Sequence, residues 1–142
     1  MYRLLVVSAL LVVSLPYAEQ VRTQSYKVKG QLKCGDKPAA NVRVKLIDED
    51  DGIDPDDELS ASYTDQNGKF ELEGSTMELS RIDPIFKAYH DCNDGIIPCQ
   101  RKWRFKLPKK YITEGKQAKK SLDIGVWNLE VVTPDEEHDC DH

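Results

Sequence analysis

Four cysteines, Cys34, Cys92, Cys99 and Cys140, carry the chemistry that number and compartment limit most tightly. In a secreted chain, for which the N-terminus argues below, an even count points to two disulfides, and four thiols allow three pairings. Zinc is the competing chemistry, with His90, His138 or His142 completing a ligand set. The spacings match no standard zinc pattern, so oxidation is preferred. Joining Cys92 to Cys99 closes a short loop and leaves Cys34 for Cys140, which ties the tail to the end of the first strand. This is the preferred pairing.

Two charge runs could also do chemistry. Asp48 to Glu58 holds eight carboxylates in eleven residues. Asp48, Asp50, Asp54, Asp56 and Asp57 offer the hard oxygen ligands that calcium takes. Glycine and the final glutamate are misplaced for an EF-hand loop, so the plainer reading is a solvated loop that keeps a sheet edge soluble. The basic run holds Arg101, Lys102, Arg104, Lys106, Lys109 and Lys110, with Lys116, Lys119 and Lys120 beyond. Arg104 and Lys106 share one strand face, opposite Trp103 and Phe105, with Tyr111 nearby. Such a face can meet anionic headgroups at roughly 1 kcal/mol per cation. The plainer reading is the wet face of a sheet. His90 falls on the Phe86–Ala88–Cys92 face. As a catalytic base it lacks an identifiable serine or cysteine nucleophile, so a half-buried structural histidine is expected.

Short strands must position these groups. Phe86, Ala88, His90 and Cys92 alternate with Ile85, Lys87 and Tyr89, and Trp103, Phe105 and Leu107 alternate with Arg104 and Lys106. Period-two alternation marks half-buried strands. Asn93-Asp94-Gly95-Ile96-Ile97-Pro98 favours a turn between them. Residues 82–107 therefore read as a central hairpin that other strands must cover. Tyr26 to Cys34 and Val42 to Leu46 alternate in the same way. Leu59, Ala61 and Tyr63 suggest a third strand, and Phe70 and Leu72 a fourth. Asn67-Gly68 supplies positive-φ positions for a tight hairpin turn between these two. Residues 74–81 look irregular, with a short turn of helix around Met77. Leu122, Ile124 and Val126 have one parity and Trp127, Leu129 and Val131 the other, so Gly125 marks a bulge or bend. Pro134 to His142 reads as an acidic tail, loose apart from Cys140. Seven or eight short strands without a long helix predict an all-β sandwich.

Arg3, an apolar run from Leu4 to Leu15 and the small Ala18 read as a secretory signal over residues 1–18, leaving a sandwich over 19–133 and a tail over 134–142. The apolar run is shorter than the roughly 20 residues that span a bilayer, so a secreted, non-spanning protein is expected. Formal net charge is −5. That balance argues against nucleic acid as a partner. No Asn-x-Ser/Thr site is present, so N-glycosylation is not expected.

The mature chain resembles the transthyretin-like secreted proteins of nematodes. Val28-Lys29-Gly30-Gln31-Leu32-Lys33-Cys34, Val42 to Asp48 with the acidic loop, and Thr64-Asp65-Gln66-Asn67-Gly68-Lys69-Phe70 carry the likeness. Asp83-Pro84, His90-Asp91-Cys92, Pro98-Cys99-Gln100-Arg101 and Asp123-Ile124-Gly125 extend it. The resemblance implies a disulfide-stapled prealbumin-type sandwich of two antiparallel sheets, about four strands each. It implies an extracellular binding protein, in a family with members implicated in recognising exposed phosphatidylserine or host partners. Related hydroxyisourate hydrolases end in Tyr-Arg-Gly-Ser, whereas this chain ends Asp139-Cys140-Asp141-His142.

The expectation is a secreted, non-enzymatic binding protein without a cofactor. It engages an extracellular protein, a cell surface or an anionic phospholipid. A carrier of a small apolar ligand at an oligomer interface is one alternative, and a transthyretin-related hydrolase centred on His90 is another.

Overall fold

The computed structural model describes residues 9–13, 20–50 and 56–142. The expected cleavage after Ala18 and the side chain of Asp54 lie outside them. Among the described residues the strands are β1 (Arg22–Cys34), β2 (Lys37–Pro38), β3 (Arg43–Asp48), β4 (Asp57–Tyr63) and β5 (Lys69–Glu78). They continue with β6 (Pro84–His90), β7 (Gln100–Lys106), β8 (Thr113–Glu114), β9 (Leu122–Asn128) and β10 (Glu137–Asp139). A single 3₁₀ turn, Lys109–Tyr111, precedes β8.

They form two five-stranded sheets. In the first, β1 is central and pairs with β2, β5, β8 and β9. The second runs β10-β7-β6-β3-β4. Alternation fills the space between the sheets. Tyr26, Val28, Leu32, Phe70 and Leu72 from the first sheet meet Val44, Leu46, Phe86, Ala88 and Trp103 from the second, all buried. Phe70 and Phe86 stack across the gap with ring centroids 5.0 Å apart. The central hairpin stands as expected: β6 and β7 pair antiparallel from Ile85–Lys106 to His90–Arg101.

Several expectations need correction. β5 does not stop at Glu73 but continues through Glu78, because residues 74–78 find partners along Arg22 to Tyr26 of β1. The 64–68 turn does not close a hairpin. It carries the chain from β4 in the second sheet to β5 in the first, Gly68 alone of the Asn67-Gly68 pair having positive φ. The Asp65 side chain fastens this crossover by accepting from the Asn67 and Lys69 N–H groups at 2.8 and 2.9 Å. β9 joins β1 in parallel, with a register shift beside Gly125 at φ 76°, which is the expected bulge. The tail is not loose: β10 pairs with β7.

The preferred disulfide pairing is also corrected. The bridges are Cys34–Cys92 and Cys99–Cys140, with Cα atoms 5.7 and 4.5 Å apart. Strand parity explains both. Cys92 continues the inward face of Phe86, Ala88 and His90, so it points at the first sheet, where β1 ends in Cys34. Cys99 precedes β7. The Gln100–Asp139 pairing of β7 with β10 then brings Cys140 opposite it.

Candidate functional site

The basic run divides by strand parity. Lys102 and Arg104 lie on the outer face of the second sheet, with Lys106 at its end. Arg101 faces inward and is 4% exposed. Sequence reasoning placed it with the surface cations, and the structure removes it. Its guanidinium donates to both carboxylate oxygens of Glu136, at 2.6 and 2.9 Å. It also donates to the carbonyls of Cys92, Leu129 and Val131 at 2.7, 2.8 and 3.0 Å. All five of its donors are used, which makes it a bolt between the β6–β7 loop and the C-terminal segment. Lys109 pairs with Asp83 at 2.7 Å, and Lys110 lies 5.5 Å from the Tyr111 ring, both at the exposed 3₁₀ turn.

The outer face gains cations that the sequence did not single out. Lys45 of β3 stands opposite Lys87 of β6, and Lys87 stands opposite Arg104 of β7. Three cations are thus in register across three adjacent strands. Tyr89 is opposite both Arg43 and Lys102 in the neighbouring row. Lys45 reaches Glu58 at 3.8 Å, Lys102 reaches Asp139 at 3.5 Å, and Arg104 pairs closely with Glu49. Burial, then the Lys102 charge, lowers the Lys87 ammonium below the ordinary lysine pKa, with Arg104 and Lys45 adding and Asp56 opposing. The alternation of β6 alone puts Lys87 on this face. Only the pairing register puts Lys45 and Arg104 on either side of it.

His90 is fully buried rather than half-buried. Its Nδ1 accepts from the Cys92 N–H at 3.1 Å, which places the ring proton on Nε2. Nε2 has no hydrogen-bond partner. The ring meets Trp103 edge-on at 5.7 Å. Burial, then the nearby Arg101 charge, pushes its pKa down to about 4. A neutral imidazole with Nδ1 occupied, beside a cysteine already oxidised, is poorly equipped as a base. Trp103 and Trp127 pack into the interior as expected, their rings 6.1 Å apart.

The acidic run gathers at one corner. Asp48, Asp50 and Asp57 meet Glu78, and each offers an oxygen within 4.8 Å of the others. Glu78 comes from the end of β5, too far along the chain for spacing to reveal it. Asp56 stands beside the group, its Oδ1 accepting from the Asp50 N–H at 3.2 Å. Burial raises Asp48 to about 6. A hydrogen bond with Asp57, then burial, raises Glu78 to about 7. Asp48 and Glu78 thus hold their protons more tightly than isolated carboxylates, and the neighbouring aspartate charges add to the effect.

Two sheets facing across Phe70 and Phe86, tied to each other by the Cys34–Cys92 disulfide, define a transthyretin-type β-sandwich. A sequence profile of the Transthyretin-like family matches residues 29–108, and the chain belongs to that family. It is 56% identical over 131 residues to Transthyretin-like protein 46 of Caenorhabditis elegans, covering 92% of this chain and 73% of that one. It is 45% identical to Transthyretin-like protein 33 of the same organism, covering 100% of this chain and 99% of that one. Transthyretin-like protein 5 is 47% identical over 94% of this chain and 96% of its own length. Among solved structures, 78% of the chain aligns with 17% of a 9R-lipoxygenase from Cyanothece at 26% identity and a TM-score of 0.42, a likeness that carries no argument. No helix among the described residues is long and apolar enough to cross a membrane.

Proposed function

We propose that this protein is a secreted, non-enzymatic binding module that engages an extracellular partner through the outer face of its second sheet. The partner class is an anionic lipid surface or an extracellular protein. One observation carries the reading: Lys45, Lys87, Lys102 and Arg104 lie on one rigid, pleated face instead of being scattered. Strands hold such groups more firmly than loops do, so little ordering entropy is lost on contact. Family membership fits a non-enzymatic extracellular protein, and the state of His90 favours a binding role over a hydrolase. Residues 1–18 supply the secretory signal.

Co-sedimentation with vesicles tests the reading. The oxidised mature chain is mixed with neutral or phosphatidylserine-containing vesicles, at two salt concentrations, with and without calcium. Charge-selective binding that weakens with salt is expected, because screening shortens the reach of exposed charges. Calcium dependence would bring the Asp48–Asp50–Asp57–Glu78 corner into the binding event. Binding indifferent to lipid charge and salt would discard the anionic-lipid version in favour of a protein partner.

A further inference from the structure

We infer that Lys87, with Lys102 and Arg104 beside it, forms a site for one compact oxyanion of the phosphate or sulfate class. The inference deepens the basic-face reading and rests on it for its location. Like charges directly opposite on neighbouring strands repel, with Cβ atoms only about 5 Å apart. A row of three therefore destabilises the sheet unless each charge is met. The outer two are met: Lys45 by Glu58 and Arg104 by Glu49. Lys102, on the diagonal, has Asp139 and Glu137 at 3.5 and 3.9 Å. Lys87, in the middle, has no ion-pair partner among the described residues. Ile85 and Tyr89, its neighbours on the same face of β6, are buried on either side of it.

The space in front of it is open. Lys87, Lys102 and Arg104 line a cleft of about 660 Å³ that Pro134 and Asp135 border from the C-terminal segment. Arg104 brings a planar fork and the lysines bring point charges, a combination suited to several oxygens of one anion. Glu49, Asp56, Asp135 and Glu137 ring the same cleft. Their charge limits the cation-lined part of the cleft to one compact group, whether a free ion or a single headgroup. An anion there also offsets the Lys102, Arg104 and Lys45 charges, which add to burial in holding the Lys87 ammonium below the ordinary lysine range.

The test is an NMR titration of the oxidised mature chain with inorganic phosphate and, separately, sulfate, against chloride at matched ionic strength. Saturable shifts at Lys87, Lys102 and Arg104, absent with chloride, are expected, together with a rise in the Lys87 pKa. Lys87→Met keeps the aliphatic stem and should weaken phosphate about tenfold, the usual scale for one charge-assisted contact. Lys37→Met, on β2 of the opposite sheet, should leave it unchanged. Non-saturable shifts, or saturable binding that persists in Lys87→Met, overturn the site. Vesicle binding separates the sources. Phosphate binding without vesicle binding keeps the site and discards the lipid reading. Vesicle binding that phosphate neither shifts nor competes with keeps the lipid reading and discards the site.

Discussion

The Arg101 guanidinium and the Glu136 carboxylate form a two-pronged pair in the interior, 2.6 and 2.9 Å long, with the Trp103 indole N–H donating to the same carboxylate at 3.0 Å. Glu136 lies just before β10, so this pair fastens the tail to the central hairpin. Glu136→Gln leaves the buried cation without its counter-charge. Three carbonyls still hold it, so a loss of about 3 kcal/mol is expected, the low end for a broken buried pair. Urea denaturation measures it, and a loss below about 1 kcal/mol would show that the carbonyls alone satisfy Arg101.

The disulfide pairing predicts the fragments of a non-reducing digest. Cys34 and Cys92 peptides should run as one linked species, and Cys99 and Cys140 peptides as another. The first bridge joins the two sheets, and the second joins the tail to β7. Loop closure alone gives roughly 4 kcal/mol for each at separations of 58 and 41 residues. Cys99→Ser with Cys140→Ser should therefore lower the melting temperature while leaving a folded sandwich. A linked Cys92–Cys99 peptide would reject the arrangement.

The acidic corner and His90 pull stability in opposite directions with pH. Glu78 and Asp48 have folded pKa values of about 7 and 6, above the ordinary 4.5 and 3.8. The folded state holds their protons more tightly, so their contribution is present near pH 4 and is lost as pH rises through about 7. His90 falls to about 4 from 6.5, so its contribution is lost as pH falls through that interval. Glu78→Gln should raise the melting temperature at mildly alkaline pH and leave it unchanged where Glu78 is already protonated. Thermal melts across pH would expose an unchanged curve, which would mean that the corner carries no repulsion.

Gly74 lets the edges of the two sheets meet. A Cβ there would lie 2.0 Å from the Leu59 carbonyl oxygen of β4. At Gly30 the clash, 2.4 Å, is with the Ile124 side chain. A side chain can change rotamer, whereas the Leu59 backbone sits at a bulge held on either side by the Ser60–Leu46 and Glu58–Ile47 pairs. Gly74→Ala should therefore cost more than Gly30→Ala, about 1–3 kcal/mol or above for the former. Equal losses in denaturant titrations would contradict that close approach.

The sequence by itself determined the strands and their faces. Period-two alternation placed Phe86, Ala88, His90 and Trp103 inside and Lys87 and Arg104 outside, because side chains alternate across any strand whatever it pairs with. It marked the bend at Gly125 and identified the family. Tertiary structure alone decided what depends on register and on which sheet a strand joins. Alternation does not say that Lys45, Lys87 and Arg104 fall in one row, or that Glu78 closes on Asp48 and Asp57. Local turn chemistry at Asn67-Gly68 looks the same whether the chain doubles back or crosses to the other sheet. The cysteines show the difference most directly. Proximity in sequence favours Cys92 with Cys99, but the inward parity of Cys92 and the β7–β10 register assign them to Cys34 and Cys140.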